Sequence, residues 1–212
     1  MSRTNRDVAI ILGTALGIEI FSEEYRVLTD LHEYGGIAYS VLEHSSPATR
    51  ATFQRKLRNL KIIGLVDCQP SRLDRRVRTY SLTPQARHQL DTELAFLQSW
   101  PSSGNHLELD VFLERIARSL KTHVFSQEYT LLLGLFSRGQ MYATELKNWS
   151  KMPHASFYAK INLLVANGHV LNLGDKVDHR KACLALADRT RQLISDAHTD
   201  LETWAQNLPA GN

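Results

Sequence analysis

Arg72, Arg75, Arg76 and Arg78 fall within seven residues of one another, in the stretch RLDRRVR. A guanidinium is planar, permanently charged and rich in N–H donors, so a row of them suits phosphate oxygens or the acceptor edges of nucleic-acid bases. Just upstream, TRATFQRKLR adds Thr49, Arg50, Thr52, Gln54, Arg55 and Arg58. Arg and Gln can make paired hydrogen bonds to base edges, and Thr serves base or phosphate. Asp74 is an acid inside this basic loop. It is expected to hold Arg76 in position through a charge-assisted pair and not to meet a polyanion itself.

Other chemistry finds little support. No Gly-rich phosphate loop, nucleophile elbow or paired catalytic carboxylates occur, so no catalytic residues are assigned and the chain does not read as an enzyme. The nine histidines are scattered, and Cys68 and Cys183 form no metal-ligand spacing, so neither a metal site nor a cofactor is expected. Cys68 follows Asp67, whose charge opposes a reactive thiolate. Thiols kept reduced point to a cytoplasmic setting. The apolar run Val8–Ile18 has 11 residues, against about 20 for a membrane span. An ordinary helix, not a membrane anchor, is expected there. The net charge is only +3 over 212 residues, so any affinity for a polyanion must come from where the cations sit.

The elements that must carry these residues can be read from pattern. Phe53, Leu57 and Leu60 form a helical stripe that stops at Gly64. LVDCQ and RVRTYSL alternate like the strands of a hairpin, with PSRLDR as its loop. Thr83-Pro84 then opens a helix that runs to Trp100. Upstream, residues 5–19 read as an apolar helix, Ser22 caps a second helix ending at Gly35, and 38–44 is a short third. Ser45-Ser46-Pro47 is a turn in which either serine could cap the helix that follows. A short helix, a turn, a longer helix and a hairpin make a winged helix-turn-helix.

The order occurs twice. FSEEY at 21–25 returns as FSQEY at 125–129, and without gaps residues 21–100 match 125–204 at 21 of 80 positions. Chance would give about a quarter of that from ordinary residue usage. WPSSGNHLE, 100–108, has the composition of a boundary. The expected organisation is therefore mainly α with small β-hairpins, in two tandem winged helix-turn-helix units from an internal duplication. The first unit is 1–100, the linker 101–106 and the second unit 107–212. In the second unit the corresponding helix offers His154, Ser156, Tyr158 and Lys160, and the hairpin offers Lys176, Arg180 and Lys181, with Asp178 matching Asp74.

Leu60, Gly64-Leu65-Val66, Asp74-x-Arg76 and Leu82-Thr83-Pro84 together resemble the recognition-helix, wing and closing-helix segment of the MarR family of bacterial transcriptional regulators. The second unit keeps Leu164, Gly168, Val170, Asp178-His179-Arg180 and Leu186, but has Ala187-Asp188 in place of Thr-Pro. The resemblance implies that the longer helix enters the major groove of double-stranded DNA and that the wing arginine enters the minor groove. It also implies a repressor, dimerisation through terminal helices and a pocket for a small-molecule effector that no residue here identifies. Family chains usually carry one winged helix each. Two in one chain imply a built-in pseudo-dimer, cytoplasmic and nucleoid-associated. Two other readings stay open: a tandem winged-helix replication or partition factor on repeated DNA sites, and a winged-helix scaffold that binds proteins.

Overall fold

The computed structural model describes residues 5–71, 74–99, 109–174 and 182–206. It is mainly helical with two small antiparallel sheets. The first set of elements is α1 (Asn5–Leu16), α2 (Glu23–Tyr34), β1 (Ile37–Ala38), α3 (Tyr39–His44), α4 (Arg50–Ile62), β2 (Val66–Pro70), β3 (Arg78–Leu82) and α5 (Pro84–Ser99). The second is α6 (Leu109–Leu120), α7 (Gln127–Arg138), β4 (Met141–Tyr142), α8 (Ala143–Ser150), α9 (His154–Ala166), β5 (Val170–Asn172), β6 (Cys183–Leu186) and α10 (Asp188–Gln206). Each helix of the second set begins 104 positions after its counterpart in the first, as in Asn5 and Leu109, Arg50 and His154, or Pro84 and Asp188.

Local chemistry explains most boundaries. Ser22 and Ser126 cap α2 and α7 by accepting from the N–H of Tyr25 and Tyr129, each at 3.1 Å. Gly35 and Gly139 close the same helices at positive φ, which a side chain would strain. Thr83 accepts from the N–H of Ala86 at 3.2 Å, and its hydroxyl donates to Gly64 O at 2.8 Å. One residue thus caps α5 and ties down the end of α4. Arg87 donates to the carbonyls of His32 and Leu31, and Arg191 to those of Phe136 and Leu135. A guanidinium from the closing helix thereby satisfies carbonyls at the negative end of α2 or α7.

Several expectations need correction. The α4 cap is Thr49, not a serine; Ser46 instead accepts from the N–H of Ala48 within the preceding turn. The short helix expected at 38–44 begins one residue later, because Ala38 is extended, as is its counterpart Tyr142 before α8. Those extended residues belong to two-residue strands that periodicity could not reveal. β1 pairs with β3 (Ile37 opposite Tyr80) and β4 with β6 (Met141 opposite Leu184), giving the orders β1-β3-β2 and β4-β6-β5.

The largest difference concerns which helix joins which set. The chain forms two compact units, one made of Phe21–Val124 and the other of the residues through Ile20 together with those from Phe125 through α10. In the first, here called the N-terminal head, α6 packs on α5; in the second, the C-terminal head, α1 packs on α10. The units expected at 1–100 and 107–212 have therefore exchanged their first helices. The exchange is tied at the caps. Ser22 N–H donates to Val124 O at 2.8 Å and its hydroxyl to His123 O, while Ser126 N–H donates to Ile20 O at 2.9 Å and its hydroxyl to Glu19 O. Val8, Leu12 and Leu16 of α1 are buried, whereas Ile10 and Ile11 are at least half exposed. Among the described residues no helix is long and apolar enough to cross a membrane.

Candidate nucleic-acid interface

In the N-terminal head, α4 is anchored on one side and open on the other. Phe53, Leu57 and Leu60 are buried, with the Tyr39 ring 5.9 Å from that of Phe53. Lys56 lies at the edge of this stripe and its ammonium meets Glu24 Oε2 on α2 at 3.0 Å. This cation is spent inside the head. Arg50, Gln54, Arg55 and Arg58 are exposed on the opposite side, and Thr52 is half-buried. Gln54, Arg58 and Lys61 are spaced i, i+4, i+7 and therefore share one stripe. Lys61 is exposed and absent from the expected set; its spacing from Arg58 was the available signal. Arg50 Nε is held 3.2 Å from Glu43 Oε1 of α3, which aims the guanidinium while leaving it 74% exposed. Thr49, expected as a contact residue, caps the helix with its hydroxyl.

The hairpin that follows α4 carries further cations. β2 and β3 pair from Val66 opposite Leu82 to Pro70 opposite Arg78. Beyond the pairing, Ser71 N–H donates to Val77 O at 2.8 Å and Val77 N–H to Asp74 O at 2.9 Å. Asp74 Oδ1 accepts from the backbone N–H of Arg76 at 2.9 Å. Its contact is thus with the backbone of Arg76, in place of the charge pair expected with the guanidinium; it shapes the turn that presents the arginine. Arg75, Arg76 and Arg78 are all exposed. Arg72 lies outside the described residues. At the root of the hairpin, the Asp67 carboxyl is held below its usual range, first by the side-chain amide of Gln69 and then by the backbone N–H of Cys68. Burial pushes the Tyr80 phenol up to about 12, with the Cys68 thiol adding to the shift. Tyr80 therefore stays neutral, and the charges this hairpin offers a polyanion are its arginines.

The C-terminal head repeats the scaffold with different surface chemistry. Phe157, Ile161 and Leu164 are the buried stripe of α9. Ser156 donates to Gln127 Oε1 at 2.8 Å, and Lys160 is ion-paired with Glu128, both on α7. Tyr158 is half-buried with its ring 4.6 Å from that of His154. Of the four expected contact residues on α9, the structure turns Ser156 and Lys160 toward α7 and leaves His154 exposed. Lys176, Asp178, Arg180 and Lys181 lie outside the described residues. Cys183 is buried and receives a hydrogen bond from Gln140 Nε2 at 2.7 Å. Among the described residues no group of three or more His, Cys, Asp or Glu could hold a metal ion.

A helix-turn-helix followed directly by an antiparallel hairpin is the winged-helix arrangement, and both heads have it. No family model matches the chain, and no curated protein matches it in sequence. Among solved structures, it is similar to the transcriptional regulator PA4135 at 18% identity, covering 58% of this chain and 79% of that one, with a TM-score of 0.36. Reduced AbfR bound to DNA gives 12% identity, 55% and 74% coverage and a TM-score of 0.34. A mutant MarR from E. coli complexed with operator DNA gives 17% identity, 58% and 79% coverage and a TM-score of 0.34. The neighbours are MarR-family regulators, met at low identity and over part of each chain.

Proposed function

We propose that this chain is a sequence-specific, double-stranded-DNA-binding transcriptional regulator. In this reading α4 enters the major groove and the β2–β3 wing follows into the adjacent minor groove. One observation carries it. Arg50, Gln54, Arg55, Arg58 and Lys61 are exposed on a helix whose other face is locked into the core, and Arg75, Arg76 and Arg78 are exposed on the hairpin that follows it. A rigid cationic helix fits a groove about 12 Å wide, where Arg and Gln read base edges at about 1–3 kcal/mol of discrimination per good pair. A slim hairpin tipped with arginine suits a narrow, electronegative minor groove. Repression follows from occupancy, because protein seated in both grooves of a promoter excludes other proteins from it.

The architecture we propose is a single-chain pseudo-dimer that arose by tandem duplication. The constant offset of 104 in helix starts and the 21 identities in 80 aligned positions support it. The test is selection of bound genomic fragments by the full chain at two salt concentrations, followed by Arg76→Ala and Arg58→Ala on the selected site. A small set of promoter sites, weakened by both substitutions, is expected. Repeated arrays of sites would point to replication or partition instead. Absence of any salt-dependent DNA binding would overturn the reading.

A further inference from the structure

We propose that the two heads are not equivalent, and that one chain specifies a single half-site: α9 does not read bases, and sequence recognition resides in α4 and its wing. This rests on the DNA-binding reading of the N-terminal head. The two helices are fully described and align residue for residue. α4 reads RATFQRKLRNLKI and α9 reads HASFYAKINLLVA. What is retained is the inward set: Phe53 and Phe157, Leu57 and Ile161, Leu60 and Leu164, and the lysine at 56 and 160 that pairs with Glu24 or Glu128. What has changed is the outward set. Arg55 is replaced by Ala159, Arg58 by Asn162, Asn59 by Leu163 and Lys61 by Val165.

The balance of charge follows directly. α4 has five Lys or Arg and α9 has one. The lysine held internally removes one from each, leaving four cations directed outward on α4 and none on α9. Phosphate neutralisation supplies essentially all non-specific affinity and a large share of specific affinity, so a helix without a free cation has little to hold it in a groove. The neighbouring surface changes in the same sense. Leu163, Leu171 and Leu173 are exposed where the N-terminal head has Asn59, Asp67 and Gln69. Apolar side chains there offer no hydrogen bond to replace the water that DNA would displace. The second helix thus shares the inward packing of the first and lacks its outward cations. An operator of two half-sites would then require two chains.

Positions 55 and 159 correspond, which gives a matched test in the full chain. Arg55→Glu and Ala159→Glu each place a carboxylate on the outward face of one helix, at an exposed site that tolerates it. Binding is measured on a selected DNA site, with hydroxyl-radical footprints of the wild type and circular dichroism as the fold control. The expected result is that Arg55→Glu weakens binding by about a hundredfold or more, while Ala159→Glu changes it by no more than about twofold. The wild-type footprint should show one protected major-groove segment per bound chain. A loss of about tenfold or more in Ala159→Glu, or two protected segments one helical turn apart from a single chain, overturns the proposal. If Arg55→Glu is itself harmless, the assignment of α4 to DNA fails, and the asymmetry falls with it.

Discussion

Lys56 and Lys160 hold the same place in two helices, α4 and α9, and in both the ammonium reaches back to a glutamate two helices earlier, Glu24 on α2 or Glu128 on α7. From sequence alone Lys160 reads as a DNA contact. The stripe of Phe53, Leu57 and Leu60 gave the rotation of α4, but a lysine at the stripe's edge can turn its long stem either way. Glu24, 32 residues distant, decides the direction. We expect Lys56→Gln to lower the melting temperature by a few degrees, because a half-buried Glu24 loses its partner, and to leave the salt dependence of DNA binding unchanged. Titration across salt together with thermal melting checks both. Asp74 gives a parallel case, since it accepts from the backbone of Arg76. Asp74→Asn keeps an acceptor oxygen and should bind DNA nearly as the wild type does, whereas Asp74→Ala should lose several-fold in affinity. If Asn and Ala behave alike, charge and not turn geometry is what the aspartate supplies.

At the level of elements, the two first helices show what pattern reading can and cannot deliver. The caps at Ser22 and Thr83 and the β2–β3 hairpin were legible because they depend on neighbours in sequence. The exchange of α1 and α6 was not, since an amphipathic stripe announces a buried face without naming the surface that buries it. Long-range chemistry makes the choice. On α5, Glu93 is buried, and Arg115 of α6 places Nε 2.8 Å from its Oε2 while stacking 3.9 Å above the Phe96 ring. Its N–H does not point squarely at that oxygen, so charge and stacking carry the contact. The counterparts of Glu93 and Arg115 are Ala197 and Ile11. A helix bearing Ile11 set against α5 would leave Glu93 buried without a cation, a cost of several kcal/mol. Arg115→Ala should therefore destabilise the N-terminal head by about 2–4 kcal/mol, somewhat below the usual cost of breaking a fully buried pair because Arg115 is partly exposed. Leu12→Ala, by contrast, should cost about 2–5 kcal/mol, and the loss should appear far from the substitution. Hydrogen exchange should speed up in α7–α10 while α2–α5 stays protected. Faster exchange confined to α2–α5 would refute the exchange of helices.

For the whole molecule, a net charge of +3 gives little long-range attraction to a polyanion, so on the proposed reading affinity must come from local cations such as those of the N-terminal head. Seven outward cations are described there: Arg50, Arg55, Arg58, Lys61, Arg75, Arg76 and Arg78. With some of them reading bases, the logarithm of affinity should fall against the logarithm of salt with a slope of about −3 to −6. A slope near zero would remove the cations from the interface.

Because α1 is made well before α10, on which it packs, its partner surface does not exist until about 170 further residues have been synthesised. At about 5–20 residues per second, Val8, Leu12 and Leu16 wait roughly 10–35 s for cover. During that interval the nascent chain carries a sticky apolar helix beside an N-terminal head that still lacks α6 for its first hundred residues. Production of this protein should accordingly lean on holding chaperones that shield α1, and moving residues 1–20 to follow α10 would shorten the wait to about 1–4 s.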